Sequence, residues 1–304
     1  MFDQVGGLIV RCCFFQTARS PDPKSDGEKG SRWSAAAPAS VVPSTYSPEW
    51  PGSPGTDGRG EWPMGMDDEL LITIVGQLGQ KYTVRTGRAV PTDETITSSQ
   101  AMELDATYLY ADLADSSGLA QKVDPLDAAR VMRAYVNIAV KIIRRGDGHI
   151  RSFDGDRVMG IFVGDNKETR AGRAALALNH YVNVMSAWVP DKLPSVKAAG
   201  WQLKHGVGID TGKALIIRAG IRNNADIVSI GRAPNVAAKL SDIRDGHALH
   251  ATEEAYTPMN WDVSYLEALG SNGPYTEMWP HRETITVGGR KINVRGSSWR
   301  WGYS

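Results

Sequence analysis

The sequence predicts an α+β fold, a mostly antiparallel sheet with helices on one face. Three observations predict it. Apolar spacing alternates between strand-like and helix-like periods from Asp105 onward, giving the order strand–helix–hairpin–helix–hairpin–strand–helix. Glycine-containing pairs, Asp154-Gly155, Thr211-Gly212 and Gly288-Gly289, stand between apolar runs where tight reversals belong. The first 64 residues carry neither signal, so the folded domain is expected over 65–304, with a β-rich C-terminal end.

Residues 1–64 hold half of the sixteen prolines and few periodic apolar positions. Segments such as Pro51-Gly52-Ser53-Pro54-Gly55 cannot bury enough surface to offset chain entropy, so a disordered extension is expected. It also reads as an upstream start, with Met64 or Met66 as the natural first residue. Asp105–Leu113, rich in Tyr, Leu and Ala, reads as a buried strand. Pro125–Arg145 reads as a helix: Ala128, Val131, Met132, Tyr135, Ile138, Ala139 and Ile142 form its stripe, Arg144 and Arg145 its last turn, and Gly146 its stop. His149–Phe153 and Arg157–Val163 read as a hairpin around Asp154-Gly155, suited to a type I′ turn. A second helix is expected over Lys167–Val189. Leu203–Asp210 and Ala214–Ala219 read as strands turned by Thr211-Gly212, Ile227–Ile230 as a further strand and Arg232–Arg244 as a helix. Glu283–Val287 and Lys291–Arg295 close the chain as a hairpin around Gly288-Gly289.

Lysine plus arginine and aspartate plus glutamate each number 34, so no basic field points to nucleic acid or to an anionic membrane. The two cysteines, Cys12 and Cys13, are adjacent, which leaves no disulfide framework and fits a reducing cytoplasm. No apolar run reaches transmembrane length, and Leu8–Phe15 is split by Arg11 and lacks a signal peptide's flanks. The expectation is a soluble cytoplasmic protein without membrane insertion.

Two aspartates carry the chemical signal. Asp112 ends a strand in Tyr110-Ala111-Asp112-Leu113, and Asp156 follows a hairpin turn in Phe153-Asp154-Gly155-Asp156-Arg157. If those strands are neighbours, both carboxylates reach one site. Mg²⁺ and Mn²⁺ are hard cations that bind through one or two carboxylates plus substrate phosphates. Ser116 and Ser117, between strand and helix, are placed to aim backbone N–H groups at phosphate. Each element alone also has an ordinary reading, as turn chemistry or a helix cap. Gly208–Lys213 does not fit a phosphate-binding P-loop, because Val207 and Ala214 replace its first glycine and its Ser/Thr. His247 and His250 lack a HExxH context or cysteines and read as strand-end histidines rather than a zinc site. Trp261, Trp279, Trp299 and Trp301 read as packing for the C-terminal hairpins.

The ordered combination resembles the catalytic domain of class III nucleotidyl cyclases, the adenylate and guanylate cyclases. Tyr110-Ala111-Asp112-Leu113 matches that family's first metal aspartate, Gly155-Asp156 its second, and Gly208-Ile209-Asp210-Thr211-Gly212 its Gly-Ile-His-Thr-Gly hairpin. Pro234-Asn235-Val236-Ala237-Ala238-Lys239 matches its Val-Asn-x-Ala-Ala-Arg helix, and Ile292-Asn293-Val294-Arg295-Gly296 its Val-Lys-Gly strand. The resemblance implies a ferredoxin-like palm and a head-to-tail homodimer. It also implies two Mn²⁺ or Mg²⁺ ions on Asp112 and Asp156, with Asn235 and Lys239 supplied from the other chain. Asn235 would orient the ribose, Lys239 would stabilise charge on the α-phosphate, and Arg295 would contact phosphate. Lys239 departs from the family's arginine, keeping the charge but losing the bidentate fork.

The family's purine-reading positions fall at Ser152 and Val228, and neither is charged. Losing a charge-assisted hydrogen bond costs roughly 1.5–3 kcal/mol, enough to erase most base selectivity. Tyr110 and Arg157 are bulkier and more polar than the family's usual residues, which suits a smaller pyrimidine ring. In this the chain looks like the pyrimidine cyclases of Pycsar anti-phage systems, which make cyclic UMP or cyclic CMP and activate an effector. UTP is favoured over CTP because arginine only donates and uracil offers O4 as an acceptor; arginine could bond O2 of either base. A purine cyclase reading its base by other groups, and an inactive nucleotide-binding sensor, remain as alternatives.

Overall fold

The computed structural model describes residues 66–221, 224–266 and 275–302. The expectations for residues 1–64 and for the two cysteines lie outside the described residues. Helix α1 (Met66–Leu78) and strand β1 (Thr83–Gly87) lead into β2 (Gln100–Leu113), which starts five residues before the expected strand. A short α2 (Ser116–Lys122) precedes α3 (Pro125–Arg145), whose bounds are those the sequence predicts. Its start is fixed by Asp124, whose carboxylate accepts from the backbone N–H groups of Leu126 and Asp127, and Pro125 sits where its missing N–H costs nothing.

Strands β3 (His149–Asp154) and β4 (Arg157–Val163) form the expected hairpin. Its reversal lies one residue further on. Asp154 pairs with Arg157, so the central residues are Gly155 and Asp156, and only Gly155 has a positive φ (62°). That is the pattern of a type II′ turn rather than I′. It lifts Asp156 out of the ladder and onto the tip. Helix α4 (Lys167–Lys192) runs past Val189 through Pro190, followed by α5 (Pro194–Ala199).

The largest departure is β5 (His205–Ile221). The sequence reading breaks it at Thr211-Gly212, but the strand is continuous. It pairs with β2 from Leu113↔His205 to Ala101↔Ile217, and the Thr107 and Thr211 hydroxyls meet across that ladder at 2.9 Å. A long antiparallel partner overrides a two-residue turn preference. The reversal follows Ile221, which pairs with Asn224 of β6 (Asn224–Ile230).

Helix α6 (Arg232–Ser241) ends three residues before the expected Arg244. Strand β7 (Leu249–Thr252), helices α7 (Glu253–Tyr256) and α8 (Trp261–Ser264), and the small pair β8 (Tyr265–Leu266) and β9 (Thr276–Glu277) follow. The final hairpin is β10 (His281–Val287) and β11 (Arg290–Ser297), with Gly288 and Gly289 both at positive φ, as a type I′ turn requires. Trp279 is fully buried and donates to the Val263 carbonyl, whereas Trp261 stacks on Tyr265 at the surface.

The sheet order is β10-β11-β7-β5-β2-β4-β3, with β1 on β2 and β6 on β5; among the described residues only β1·β2 and β5·β7 are parallel. Alternate residues of β2 divide the core. Leu109, Ala111 and Leu113 pack with Val131, Tyr135 and Ile142 of α3 and the buried stripe of α4. Leu104, Ala106 and Tyr108 face the other way, with Ala233 and Ala237 of α6. The long helices thus share one face, as expected, and α6 is an addition to the opposite one. Glycine allows it: a Cβ on Gly206 would collide with the Ser241 carbonyl, and one on Gly208 with that of Ala237.

Candidate active site

A single row of residues crosses the sheet on the α6 face: Ser152, Met159, Tyr110, Gly208, His250, Gly296 and His281 are successive register partners from β3 to β10. Two residues further along β2 stands Asp112, paired with Gly206. Beside it on β4 stands Arg157, one step beyond the Ala111↔Val158 pair. The β3–β4 turn brings Asp156 to the same end of the sheet.

The two predicted aspartates come together. Burial raises the Asp156 carboxyl above its ordinary value, and the negative charge of Asp112 raises it further. The Ser116 hydroxyl hydrogen-bonds Asp156, while its Oδ2 is buried without a partner. Asp112 is saturated. Its Oδ1 accepts from Arg157 Nε at 3.2 Å and its Oδ2 from Arg244 Nη2 at 3.0 Å. Arg157 also pairs with Asp242, and these two anions raise its pKa against the opposing effect of burial. Beneath the carboxylates the floor is dry. Tyr135 is buried, and burial together with the charges of Asp112 and Asp156 holds its phenol well above the usual range. Burial, helped by Arg244, pushes His205 down to about 3, so it is a neutral ring against Asn179.

Paired carboxylates on a dry floor, one with an orphaned buried oxygen, fit a divalent cation. Two arginines at Asp112 supply positive charge to the same spot. Sequence reading found Arg157 but missed Arg244 and Asp242, which lie just past the end of α6 and are adjacent to Asp112 only through the pairing of β5 with β2. Ser117 is exposed at the start of α2. Tyr110 is half-buried between Met159 and Gly208.

The remaining predicted residues lie elsewhere. Asn235 and Lys239, four apart on α6, are on its exposed side, opposite the buried Val236, Ala237 and Leu240. Asn235 borders a cleft of about 510 Å³ whose other walls include Arg232, Glu254, Arg290 and Lys291. Arg295 is not in it. Its guanidinium is held by Glu253 (2.6 and 2.8 Å) and Glu277 (2.7 Å) and lies over the Tyr256 ring at 4.5 Å. Arg232 pairs with Glu254 and with the fully buried Asp210, whose carboxyl burial raises to about 6. A larger cleft, about 710 Å³, lies beside His205, Asn179 and Trp201 and has no carboxylate in its wall.

Comparison with known proteins places the chain in a family. No family model matches the chain. The uridylate cyclase of Rhodovulum sp. (strain MB263) is 37% identical over 246 residues, which cover 78% of this chain and 98% of that protein. Those of Xanthomonas perforans and Burkholderia cepacia are 32% and 33% identical, each alignment covering 78% of this chain and 99% of the relative. The chain belongs to the uridylate cyclase family. Solved structures agree on the fold: a bacterial light-regulated adenylyl cyclase superposes with a TM-score of 0.52 at 19% identity, covering 69% of this chain and 57% of that one. The adenylyl cyclase CyaB from P. aeruginosa does so with 0.50 at 19% identity, covering 65% and 95%. A uridylate cyclase family member is a nucleotidyl cyclase, and the mostly antiparallel α+β architecture is that of class III cyclase domains. Among the described residues no helix is long and apolar enough to cross a membrane.

Proposed function

We propose that the protein converts UTP to 3′,5′-cyclic UMP and pyrophosphate. The observation that carries this is the junction of Asp112 and Asp156 near uncharged Ser152, in a chain whose relatives, matched over almost their whole length, are uridylate cyclases. Val228, the other expected base-reading position, is also uncharged and lies at the far end of the ladder, paired with Ile217. Asp112 and Asp156 would hold Mg²⁺ or Mn²⁺, two ions per site, which supply charge neutralisation for the triphosphate and for the developing alkoxide. The substrate's 3′-oxygen gives its proton to solvent and bonds to the α-phosphorus, while the bond from that phosphorus to the β-phosphate oxygen breaks and pyrophosphate leaves. Ser116, hydrogen-bonded to Asp156, orients that carboxylate, and Ser117 borders the phosphates. Tyr110 offers a stacking face to the ring. Arg157, once relieved of Asp112, donates to the uracil O4.

Asn235 and Lys239 act on the substrate of a second copy. Their position on the exposed side of α6 supports this reading, under which the enzyme is a homodimer with head-to-tail sites. Arg290 and Lys291, which share a cleft with Asn235, are better placed for the phosphate role than Arg295, whose fork is occupied by Glu253 and Glu277. The product fits a second messenger made in the cytoplasm for an effector in anti-phage defence, as in the Pycsar systems the chain resembles. Purified protein incubated separately with each of the four nucleoside triphosphates and Mn²⁺ tests the substrate. Cyclic UMP is expected as the dominant product, with cyclic CMP second; dominant cyclic AMP or cyclic GMP would sink the assignment.

A further inference from the structure

The far end of the cross-sheet row holds a second cluster that the cyclase reading does not use. Asp245 and His247 lie in the loop between α6 and β7, and His281 opens β10. One ligand atom from each lies within 4.8 Å of the others. The His247 and His281 rings stack, with centroids 4.3 Å apart and planes 19° from parallel.

We propose that Asp245, His247 and His281 bind a zinc-class divalent cation at a site distinct from the nucleotide carboxylates. The two rings flank opposite oxygens of one carboxylate: His247 Nδ1 is 3.4 Å from Asp245 Oδ1, and His281 Nε2 is 3.5 Å from Asp245 Oδ2. Neighbouring ligand atoms of a tetrahedral ion with bonds of about 2.0–2.1 Å stand about 3.4 Å apart, the scale of each of these gaps. Those same nitrogens, His247 Nδ1 and His281 Nε2, are buried and make no hydrogen bond. Buried polar atoms are normally paired, and two unpaired imidazole nitrogens converging on one carboxylate are what a cation satisfies.

The surroundings are arranged around this cluster. His250, fully buried on β7, places its Nε2 at 3.1 Å from Asp245 Oδ2, and the His247 backbone N–H donates to Oδ1 at 2.9 Å. These contacts fix the carboxylate as outer partners of a metal ligand do. Gly296 lies between His250 and His281 in the row, and a Cβ there would stand 2.9 Å from the His281 ring and 3.4 Å from that of His247. The rings need that space.

Donor chemistry selects the ion. Two imidazoles and one carboxylate suit Zn²⁺ and its borderline neighbours, whereas Mg²⁺ and Mn²⁺ prefer oxygen. A bound ion would pin the α6–β7 loop to the C-terminal hairpin. That loop also carries Arg244, the residue next to Asp245 and a partner of Asp112.

The test uses the full chain, stripped by a chelator and titrated with Zn²⁺ in millimolar Mg²⁺, with bound zinc counted by elemental analysis and unfolding followed by circular dichroism. One zinc per chain is expected, raising the unfolding midpoint by about 5–10 °C at a hundredfold excess over Kd. His247→Gln and His281→Gln should each lose at least tenfold in zinc affinity and most of that shift while folding normally without zinc. Asp112→Asn should keep both. A parent that binds no zinc, variants that bind it as the parent does, or zinc lost in Asp112→Asn instead would each overturn the site.

Discussion

The two halves of the proposed nucleotide site are prepared in opposite ways. At the β2–β4 end the acidic half is closed on itself: both oxygens of Asp112 are taken by Arg157 and Arg244, and Arg157 is shared with Asp242. On α6 the other half is open, with Asn235 and Lys239 at the surface. Carboxylates pressed together over a buried tyrosine are costly, so the chain gathers its own cations to offset them. An amide and an ammonium on a helix surface are solvated and need no such partner. The acidic half therefore carries its counter-charges within one chain, while the α6 half stands exposed to solvent.

The difference can be broken first at the carboxylates. Asp112→Asn or Asp156→Asn removes an anionic ligand, and cyclase activity should fall by about 10³-fold or more, with the circular dichroism spectrum unchanged. An active Asp112→Asn protein would place the site elsewhere.

Arg244 sharpens the same half in the opposite direction. It competes for Asp112 with any incoming cation. Solvent-accessible ion pairs are worth about 0.2–1 kcal/mol, so Arg244→Ala should tighten Mn²⁺ binding by up to roughly fivefold, read by calorimetry or electron paramagnetic resonance. Weaker binding would mean that Arg244 positions the carboxylate instead of blocking it.

A further effect, on stability rather than on the acidic half, comes from Asp210, beside the open half. It is fully buried, one oxygen has no partner, and its carboxyl titrates near 6 against an ordinary 3.8. Below the ordinary value, folded and unfolded chains are both protonated at this group. Between the two values only the folded chain holds the proton, so rising pH erodes the stability this group contributes, and above about 6 that contribution is gone. The loss is at most about 3 kcal/mol, at roughly 1.4 kcal/mol per pH decade. Asp210→Asn should flatten the pH dependence of unfolding between about 4 and 6 and leave the neutral protein at least as stable. An unchanged slope would mean that Arg232 keeps Asp210 ionised throughout.

What was legible in the sequence follows the range of the forces involved. Helix α3 could be bounded to the residue because its signals are local: an amphipathic stripe, a proline at the first turn, two arginines and a glycine at the end. The Gly288-Gly289 reversal was equally local. Thr211-Gly212 misled because the same kind of signal was overruled by β2, a hundred residues away. At the site, Asp112, Asp156 and Arg157 could be picked out because each lies at a strand end or in the turn next to one. Arg244 and Asp242 could not, since their spacing resembles an ordinary helix end, and only the α6 backbone seated on Gly206 and Gly208 brings them to Asp112. The same limit applies to the histidines. His247 was noticed beside His250, but its partner is His281, which is a neighbour only across β11.

One working uridylate cyclase site is proposed to need the acidic half of one chain and the α6 half of another. Its direct test mixes Asp112→Asn and Asn235→Ala proteins, refolded or co-expressed together, and measures cyclic UMP formation from UTP with Mn²⁺. Each variant alone should be nearly inactive. The mixture should recover roughly a quarter of the parent rate, because half the dimers are mixed and each holds one intact site of two. No recovery from a mixture shown to contain mixed dimers would contradict the account.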